Sequence, residues 1–262
     1  MDFTLVLPVV LGWLAGLFIN YAADVLPHTR RFSQPVCRDC QTPSSWIDYL
    51  TFRACRNCGI LRSLRTWIVQ ILTPATFVYF WLSPDKHLNL PLGMLVLTYF
   101  GLIIVIDLEH RLILFSTSLA GAMLGLVTGT YIHSKVNSLP AAVGISLLGG
   151  IFGFIVLLVL YQAGTLVARY RARRLQANGR EDDEEEALGG GDVYLAGVLG
   201  LMIGWPLIWE ALVRGVLLGA LVSLILVIGL LARRRYLRNA LMTFIPYGPY
   251  FILSAFYVLF IL

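Results

Sequence analysis

The sequence predicts an all-α polytopic membrane protein, and three observations carry that prediction. The 262 residues are 58% hydrophobic and only 13% charged, with a mean hydropathy of +0.78, which is more apolar than a soluble domain of this length. The apolar residues come in runs of about 20, the length that crosses the hydrocarbon of a bilayer. Within these runs they do not alternate with a period of two, which argues against transmembrane strands.

Eight apolar runs are long enough to predict a bundle of about eight transmembrane helices. The fifth run is long enough to tilt or to extend into water. The sixth run is short, so its ends are the hardest to place. In chain order the predicted spans are Phe3–Ala23, Leu64–Leu82, Leu88–Ile106, Leu112–Ile132, Leu139–Ala168, Val193–Trp209, Gly215–Ala232 and Ala240–Leu262.

The basic residues predict the orientation of these spans. With eight spans, 17 of the 20 lysines and arginines lie in loops on the side where the first span ends, and only Lys86, Lys135 and Arg214 lie on the other side. Basic loops face the cytosol, so both termini are expected outside. The net charge of +5 then reflects topology and contacts with anionic lipid, and we expect no nucleic-acid binding. No basic segment precedes the first span, which argues against a cleavable signal peptide.

All four cysteines lie in the first predicted cytosolic loop. They form two C-x-x-C pairs, Cys37 with Cys40 and Cys55 with Cys58, and fourteen residues separate the pairs. This spacing is typical of structural zinc sites, in which four thiolates surround one tetrahedral ion. His28 could compete as a metal ligand, but its spacing from the cysteines fits neither pair. Free thiols or a redox pair are the alternatives to a zinc site.

The sequence thus divides into a first helix at 1–26, a small cytosolic zinc-binding insert at 27–63 and a membrane core at 64–262.

Two aspartates are predicted at the same face of the membrane. Asp107 follows the third span, which runs inward, and Asp192 precedes the sixth span, which runs outward. Two carboxylates at one depth are typical of the catalytic pair of an aspartic protease, in which one acts as base on a water molecule and the other as acid. A helix N-terminus stabilises negative charge, so Asp192 is predicted to be the ionised partner and Asp107 the protonated one. The alternative for Asp192 alone is a helix cap.

Three glycines, Gly189, Gly190 and Gly191, directly precede Asp192. Without a Cβ atom, this backbone can approach an extended substrate strand closely, so we predict that the glycines bind substrate. Six acidic residues, Glu181 to Glu186, come just before them and are expected to be a solvated loop, or a surface that steers a basic substrate.

Several segments, in their order along the chain, resemble the bacterial type IV prepilin peptidases. GGGD is similar to the GxGD motif of intramembrane aspartyl proteases, and the cysteine pairs resemble the zinc-binding domain of the prepilin branch. Three further segments resemble that branch: GLFINYAADVLP at Gly16–Pro27, VIDLEHRLI at Val105–Ile113 and IPYGPYFILSAF at Ile245–Phe256.

This resemblance implies an enzyme with two activities. The peptidase removes the basic leader of a type IV prepilin or pseudopilin after a glycine, with Asp107 and Asp192 as the catalytic pair. The methyltransferase then methylates the new N-terminus with S-adenosylmethionine. Departures from the family pattern cluster near the first loop, where Val25 stands in place of an arginine, and the spacer between the cysteine pairs is short.

Two alternatives accompany this interpretation. One is a peptidase that has lost methyl transfer. The other is a non-enzymatic membrane protein, either a transporter or a zinc-ribbon scaffold. A transporter more often carries its acidic residues near the midplane, on broken helices in two repeats, and no internal repeat is evident here. Four further polar residues lie near the predicted cytosolic face: Asn20 and Asp24 in the first span, and Glu109 and His110 after the third. We interpret them as interhelical or solvated polar groups, and contacts to the substrate are the alternative.

Overall fold

The computed structural model describes residues 5–37, 40, 42–83, 88–177, 189–232 and 246–262. Within this part of the chain the secondary structure is helical, apart from one isolated antiparallel bridge between Val36 and Pro43. In chain order the described helices are α1 Val6–Thr29, α2 Trp46–Leu50, α3 Leu64–Leu82, α4 Leu90–His110, α5 Phe115–Ser134, α6 Leu139–Ala177, α7 Gly190–Ile203, α8 Leu207–Ala232 and α9 Gly248–Phe260.

Each predicted span overlaps at least one described helix, which confirms the all-α fold class, and residues 240–245 of the eighth span lie outside the described residues. Five of the described helices are long and apolar enough to cross a membrane: α1, α4, α5 and the apolar parts of α6 and α8. The 14-residue α7 and the 13-residue α9 are apolar but shorter. α3 has 19 residues but is less apolar, because it carries Arg65, Gln70 and three threonines.

Several helix boundaries differ from the predicted ones. α1 continues six residues beyond Ala23, to Thr29, so its last turn extends past the apolar run. α4 ends at His110, so Asp107 lies inside its last turn and not beyond its end. Gly204, with a φ of 78°, ends α7, and α8 begins at Leu207 directly after Pro206. The predicted sixth span ran through this break because a positive φ leaves no trace in hydropathy.

The described residues group into two compact units, Met1–Ser116 and Thr117–Leu262. In the first unit, α1 packs against both α3 and α4. A buried apolar cluster lines this contact and consists of Ile19, Ala22, Ala23, Leu26, Val69, Leu102, Val105, Ile106 and Leu114. Gly12 of α1 lies so close to α3 that a Cβ atom there would come within 2.5 Å of the Pro74 Cα atom.

In the second unit, α7 is buried on most sides and packs most extensively against α6. Gly149 of α6 faces Gly200 of α7 so closely that a Cβ atom on either residue would overlap the backbone of the other helix. Small residues of this kind allow membrane helices to pack at close range. The C-terminal end of α7 is fixed as well, because the His133 Nε2 atom lies 2.9 Å from the Ile203 carbonyl oxygen. The helix that carries Asp192 is therefore fixed along its side by packing against α6 and at its C-terminal end by the contact with His133.

Candidate active site and metal centre

Asp107 lies in the last turn of α4, in the first unit. Asn89 caps the start of this helix by accepting a hydrogen bond from the Leu92 N–H at 3.1 Å. Arg111 ends the helix in the left-handed region, with a φ of 50°, and its N–H donates to the Asp107 carbonyl at 2.9 Å. The Asp107 side chain is 4% exposed. A carboxyl group is therefore buried near the end of an apolar helix, where burial is costly without a functional reason.

Asp192 lies in the first turn of α7, in the second unit. Gly189 is the N-cap residue, with an extended backbone, and its carbonyl accepts the Asp192 N–H at 3.0 Å. Asp192 is therefore the third helical residue, and the alternative of Asp192 as the capping residue is wrong. A carboxylate in the first helical turn lies where the helix dipole stabilises negative charge. The residue is 7% exposed.

The glycines before Asp192 leave an accessible stretch of backbone. Gly189 and Gly190 are exposed, and Gly191 is half-buried. Among the described residues, a Cβ atom added at Gly190 would meet no atom within 4 Å. Packing against the described part of the second unit therefore does not require glycine at this position. The acidic residues 181–186 that precede the glycines lie outside the described residues.

The four cysteines form a single cluster, as predicted. Their sulfur atoms all lie within 4.8 Å of one another, with Cys37 3.7 Å from Cys58 and Cys40 3.6 Å from Cys55. These separations are too long for a disulfide, whose sulfurs are about 2.05 Å apart. Four sulfurs bound at about 2.3 Å to a tetrahedral ion lie about 3.8 Å apart, so the cluster has the size of a zinc site.

Tight turns present the two cysteine pairs. The Cys37 N–H donates to the Thr42 carbonyl at 2.9 Å, and the Cys55 N–H donates to the Ile60 carbonyl at 3.1 Å. Gly59 takes a φ of 70°, which closes the second turn directly after Cys58. Hydrogen bonds from the Thr42 hydroxyl and backbone N–H lower the pKa of Cys40 to about 6. This favours the thiolate, the form that binds metal.

Zinc at this cluster would be structural. Four cysteines complete a tetrahedral coordination shell and leave no open position for a substrate. Among the described residues, no other group of three or more His, Cys, Asp or Glu side chains converges on one point. His28 is directed elsewhere, and its ring lies 5.5 Å from the ring of His110.

A buried ion-pair cluster joins α1, α3 and α4. Arg65 of α3 is at its centre and contacts three acceptors: Asp24, Asn20 Oδ1 at 3.1 Å and Glu109 Oε1 at 3.2 Å. The side chains of Arg65, Asp24 and Glu109 are only 15%, 5% and 13% exposed. Tyr49 donates from its hydroxyl to Asp24 Oδ2 at 2.8 Å. The sequence did not single out Arg65, although an arginine one residue inside a predicted span is itself a signal.

This cluster changes the interpretation of three residues. Asn20 makes the predicted interhelical hydrogen bonds, donating to the Thr66 carbonyl at 3.2 Å and to Gln70 Oε1 at 3.4 Å. Asp24 does not reach water at the helix end, because it is buried and bound to Arg65 and Tyr49. Glu109 lies in the last turn of α4 and pairs with Arg65, so the predicted solvated turn is wrong at this residue.

Arg65→Ala is expected to destabilise the protein by about 3–5 kcal/mol, because it leaves the buried Asp24 carboxylate and the half-buried Glu109 carboxylate without their cation. Arg65→Lys should restore only part of the loss, since one ammonium group cannot match the guanidinium fork that meets three acceptors. The thermal unfolding midpoint in lipid nanodiscs measures both effects.

Arg214→Ala is the matched control for this prediction. Arg214 pairs with Glu210 at 2.9 Å, with side chains 38% and 49% exposed. Such exposed pairs contribute about 0–1 kcal/mol. Equal shifts of the midpoint for Arg65→Ala and Arg214→Ala would contradict the importance of the buried cluster.

A small cleft lies beside the cysteines and the ion-pair cluster. Its volume is about 40 Å³, enough for a few water molecules but far below the ~300–1,000 Å³ typical of small-molecule sites. Its lining residues are Asp24, Cys37, Ser44, Cys55, Ile60, Leu61, Arg62, Ser63, Arg65 and Thr66. In this conformation the cleft does not fit a molecule as large as S-adenosylmethionine.

The chain was compared with known proteins. It is 24% identical over 228 residues to a prepilin leader peptidase/N-methyltransferase of Myxococcus xanthus (strain DK1622), across 84% of this chain and 62% of that relative. It thus spans less than two thirds of the length of the curated relative. No solved structure matches significantly. The model of the type IV leader peptidase family matches residues 94–262. This match covers more than half of the chain and includes both aspartates, so the protein is a multi-pass membrane protein of the type IV leader peptidase family.

Proposed function

We propose that this chain is an aspartic endopeptidase that removes the basic leader of type IV prepilins or pseudopilins at the cytosolic face of the bacterial inner membrane. One observation carries the proposal. In a member of the leader peptidase family, Asp192 occupies the first turn of α7 directly behind exposed glycine backbone. A buried Asp107 at the end of α4 supplies the second carboxyl group.

The proposed reaction is hydrolysis by a carboxylate pair. Asp192, favoured as the anion by the helix dipole, takes a proton from water. The water oxygen attacks the carbonyl carbon of the leader's last glycine. Asp107, as the acid, protonates the amide nitrogen while the C–N bond breaks. The products are a leader with a new carboxylate and a mature pilin with a new N-terminal amine.

The exposed backbone at the start of α7, from the N-cap Gly189 into the first helical residues Gly190 and Gly191, provides the proposed docking edge for the substrate. A prepilin cleavage site must be extended for water to reach its carbonyl group. An extended strand can form backbone hydrogen bonds with an exposed, extended segment, and Gly189 has this conformation with φ −72° and ψ 136°. The substrate's apolar helix would enter from the lipid, with its cleavage site at the cytosolic interface and both termini of the enzyme outside.

The cysteine cluster would hold one zinc ion through Cys37, Cys40, Cys55 and Cys58. When bound, zinc supplies folding energy to a loop with little apolar core of its own. N-methylation of the new amine is the second proposed activity, and it rests on the name of the relative and on the resemblance of the sequence. Because the cleft beside the cysteines does not fit S-adenosylmethionine in this conformation, we assign no residue to that step.

Incubation with a prepilin tests both activities together. The purified chain, a prepilin and S-adenosylmethionine are combined in phospholipid vesicles, and the intact mass of the pilin is measured. Loss of the leader mass supports the peptidase, and one additional methyl group on the mature pilin supports methyl transfer. Loss of the leader without a methyl group identifies a peptidase that has lost the second activity. An intact prepilin, under conditions in which the M. xanthus relative cleaves it, rejects the proposal.

A further inference from the structure

The Trp46–Phe52 segment, which comprises α2 and the two residues after it, exposes an apolar surface outside the predicted spans. It lies between the two cysteine pairs, in a loop that the sequence places in water. Trp46, Ile47 and Leu50 are nevertheless 48%, 69% and 50% exposed. Exposed apolar residues are expected on the lipid-facing sides of α1 and α3, but not on a solvated loop, where such a patch marks an interaction surface.

This segment lies along the side of α1. The ring of Trp46 is 5.0 Å from that of Tyr21, and the ring of Phe52 is 6.1 Å from that of Trp13. Tyr21 and Trp13 are eight residues apart, which is about 12 Å along a helix, and Trp13 is about 24 Å from the end of α1 at Thr29. The segment therefore runs alongside the middle of α1, from Tyr21, two residues before the predicted end of the first span at Ala23, to Trp13.

Phe52 anchors the segment at its deepest point. Its ring stacks on Trp67 of α3 at 5.0 Å while it meets Trp13 of α1 edge-on. Its backbone has a φ of 54°, an unusual value for a bulky residue. Trp13 and Trp67 are themselves 40% and 44% exposed, so the apolar surface of the segment is continuous with that of the spans.

The backbone of the segment is suited to a lipid environment, where every N–H group needs a partner within the protein. The Ser45 side chain caps the start of α2 by accepting from the Ile47 N–H at 3.3 Å. The Tyr49 N–H donates to the Ser45 carbonyl at 2.9 Å in the first turn of α2. Three further hydrogen bonds close the end of the helix and the turn after it: Thr51 N–H to Ile47 O at 3.0 Å, Phe52 N–H to Tyr49 O at 3.3 Å and Arg53 N–H to Asp48 O at 3.0 Å.

The charges around the segment complement a phospholipid surface. Asp48 is the acidic residue of α2, and it is 5% exposed and neutralised by Arg56, whose Nε atom lies 2.7 Å from Asp48 Oδ2. The side chains of Arg53 and Arg56 remain 68% and 79% exposed. Arginines beside an apolar wedge can reach the lipid phosphates while the wedge contacts the acyl chains.

We propose that the Trp46–Phe52 segment inserts into the lipid bilayer beside α1 and α3 and holds the cysteine cluster against the membrane surface. Acyl chains contact Ile47 and Leu50, and lipid phosphates contact Arg53 and Arg56. The occupant of this surface is therefore phospholipid, and the insertion does not depend on the proposed peptidase activity.

Photocrosslinking of the full-length chain in nanodiscs of phosphatidylethanolamine and phosphatidylglycerol tests this proposal. Benzoylphenylalanine is placed at position 47 or 50, and the matched control is position 57, where Asn57 is exposed between Cys55 and Cys58. Zinc content reports that each variant is folded. Mass spectrometry is expected to find several-fold more lipid adduct at positions 47 and 50 than at position 57.

Two outcomes overturn the proposal. Equal lipid labelling at positions 47, 50 and 57 would place the segment in water. Adducts that join two copies of the chain, in place of lipid adducts, would identify the surface as a protein contact.

Discussion

Asp107→Asn and Asp192→Asn are each expected to slow leader cleavage by about 10²–10⁴-fold, the range over which positioned acids and bases contribute. Asparagine keeps the shape of aspartate but can neither accept a proton from water nor donate one to an amide leaving group. Asparagine is nearly the same size as aspartate, so both variants are expected to fold. Cleavage rates with prepilin in vesicles measure the effect.

Glu210→Gln provides the matched control for the aspartate variants. It makes the same acid-to-amide change on α8, at a side chain that is 49% exposed and pairs with the nearby Arg214. Its cleavage rate should equal that of the unaltered chain. Zinc content and the unfolding midpoint should be unchanged in all three variants. An Asp107→Asn or Asp192→Asn variant with full activity would rule out the corresponding role.

Cys55→Ser is expected to abolish stoichiometric zinc binding and to unfold the loop around the cysteines. Structural zinc contributes about 10–16 kcal/mol of apparent binding free energy in small zinc modules, and that energy is coupled to folding. Metal analysis should find one zinc ion per chain before the substitution and a large loss after it. Hydrogen–deuterium exchange should accelerate in the loop and leave α7 and α8 unchanged.

Asn57→Ser is the control for this prediction. Asn57 lies in the same turn as Cys55 and is exposed, so its loss leaves all four thiols in place. Zinc content should remain at one ion per chain. Full zinc occupancy in Cys55→Ser would contradict a four-cysteine site.

The apolar runs and the cysteine spacing predicted most of the architecture. Runs of about 20 residues located every long helix, because hydropathy alone decides which segments lie in a bilayer. The two C-x-x-C pairs predicted the sulfur cluster, because each pair lies on a tight turn that can offer two thiolates to one ion. Asp192 was correctly placed at the start of a helix, since a run of glycines and charges ends where the apolar residues begin.

The ion-pair cluster could not be predicted in the same way. Asp24, Arg65 and Glu109 lie on three different helices, and their meeting depends on the rotation of each helix about its own axis. Hydrophobic periodicity fixes that rotation only for helices with one polar face, whereas α1 and α4 are apolar all round. The packing of Phe52 against Trp13 and Trp67 could not be predicted either, because a positive φ at a phenylalanine has no sequence signal. Steering by the acidic residues 181–186 stays a prediction, since they lie outside the described residues.

The central claim is that Asp107 and Asp192 act as one catalytic unit, and the double variant Asp107→Asn/Asp192→Asn tests it most directly. Residues that act as a unit have strongly non-additive effects on rate. Single-turnover cleavage is measured for the two single variants and for the double variant, each in excess over prepilin. The claim predicts that the double variant is no slower than the slower single variant. A double variant whose rate loss equals the product of the two single losses would contradict it and would assign the two carboxyl groups independent roles.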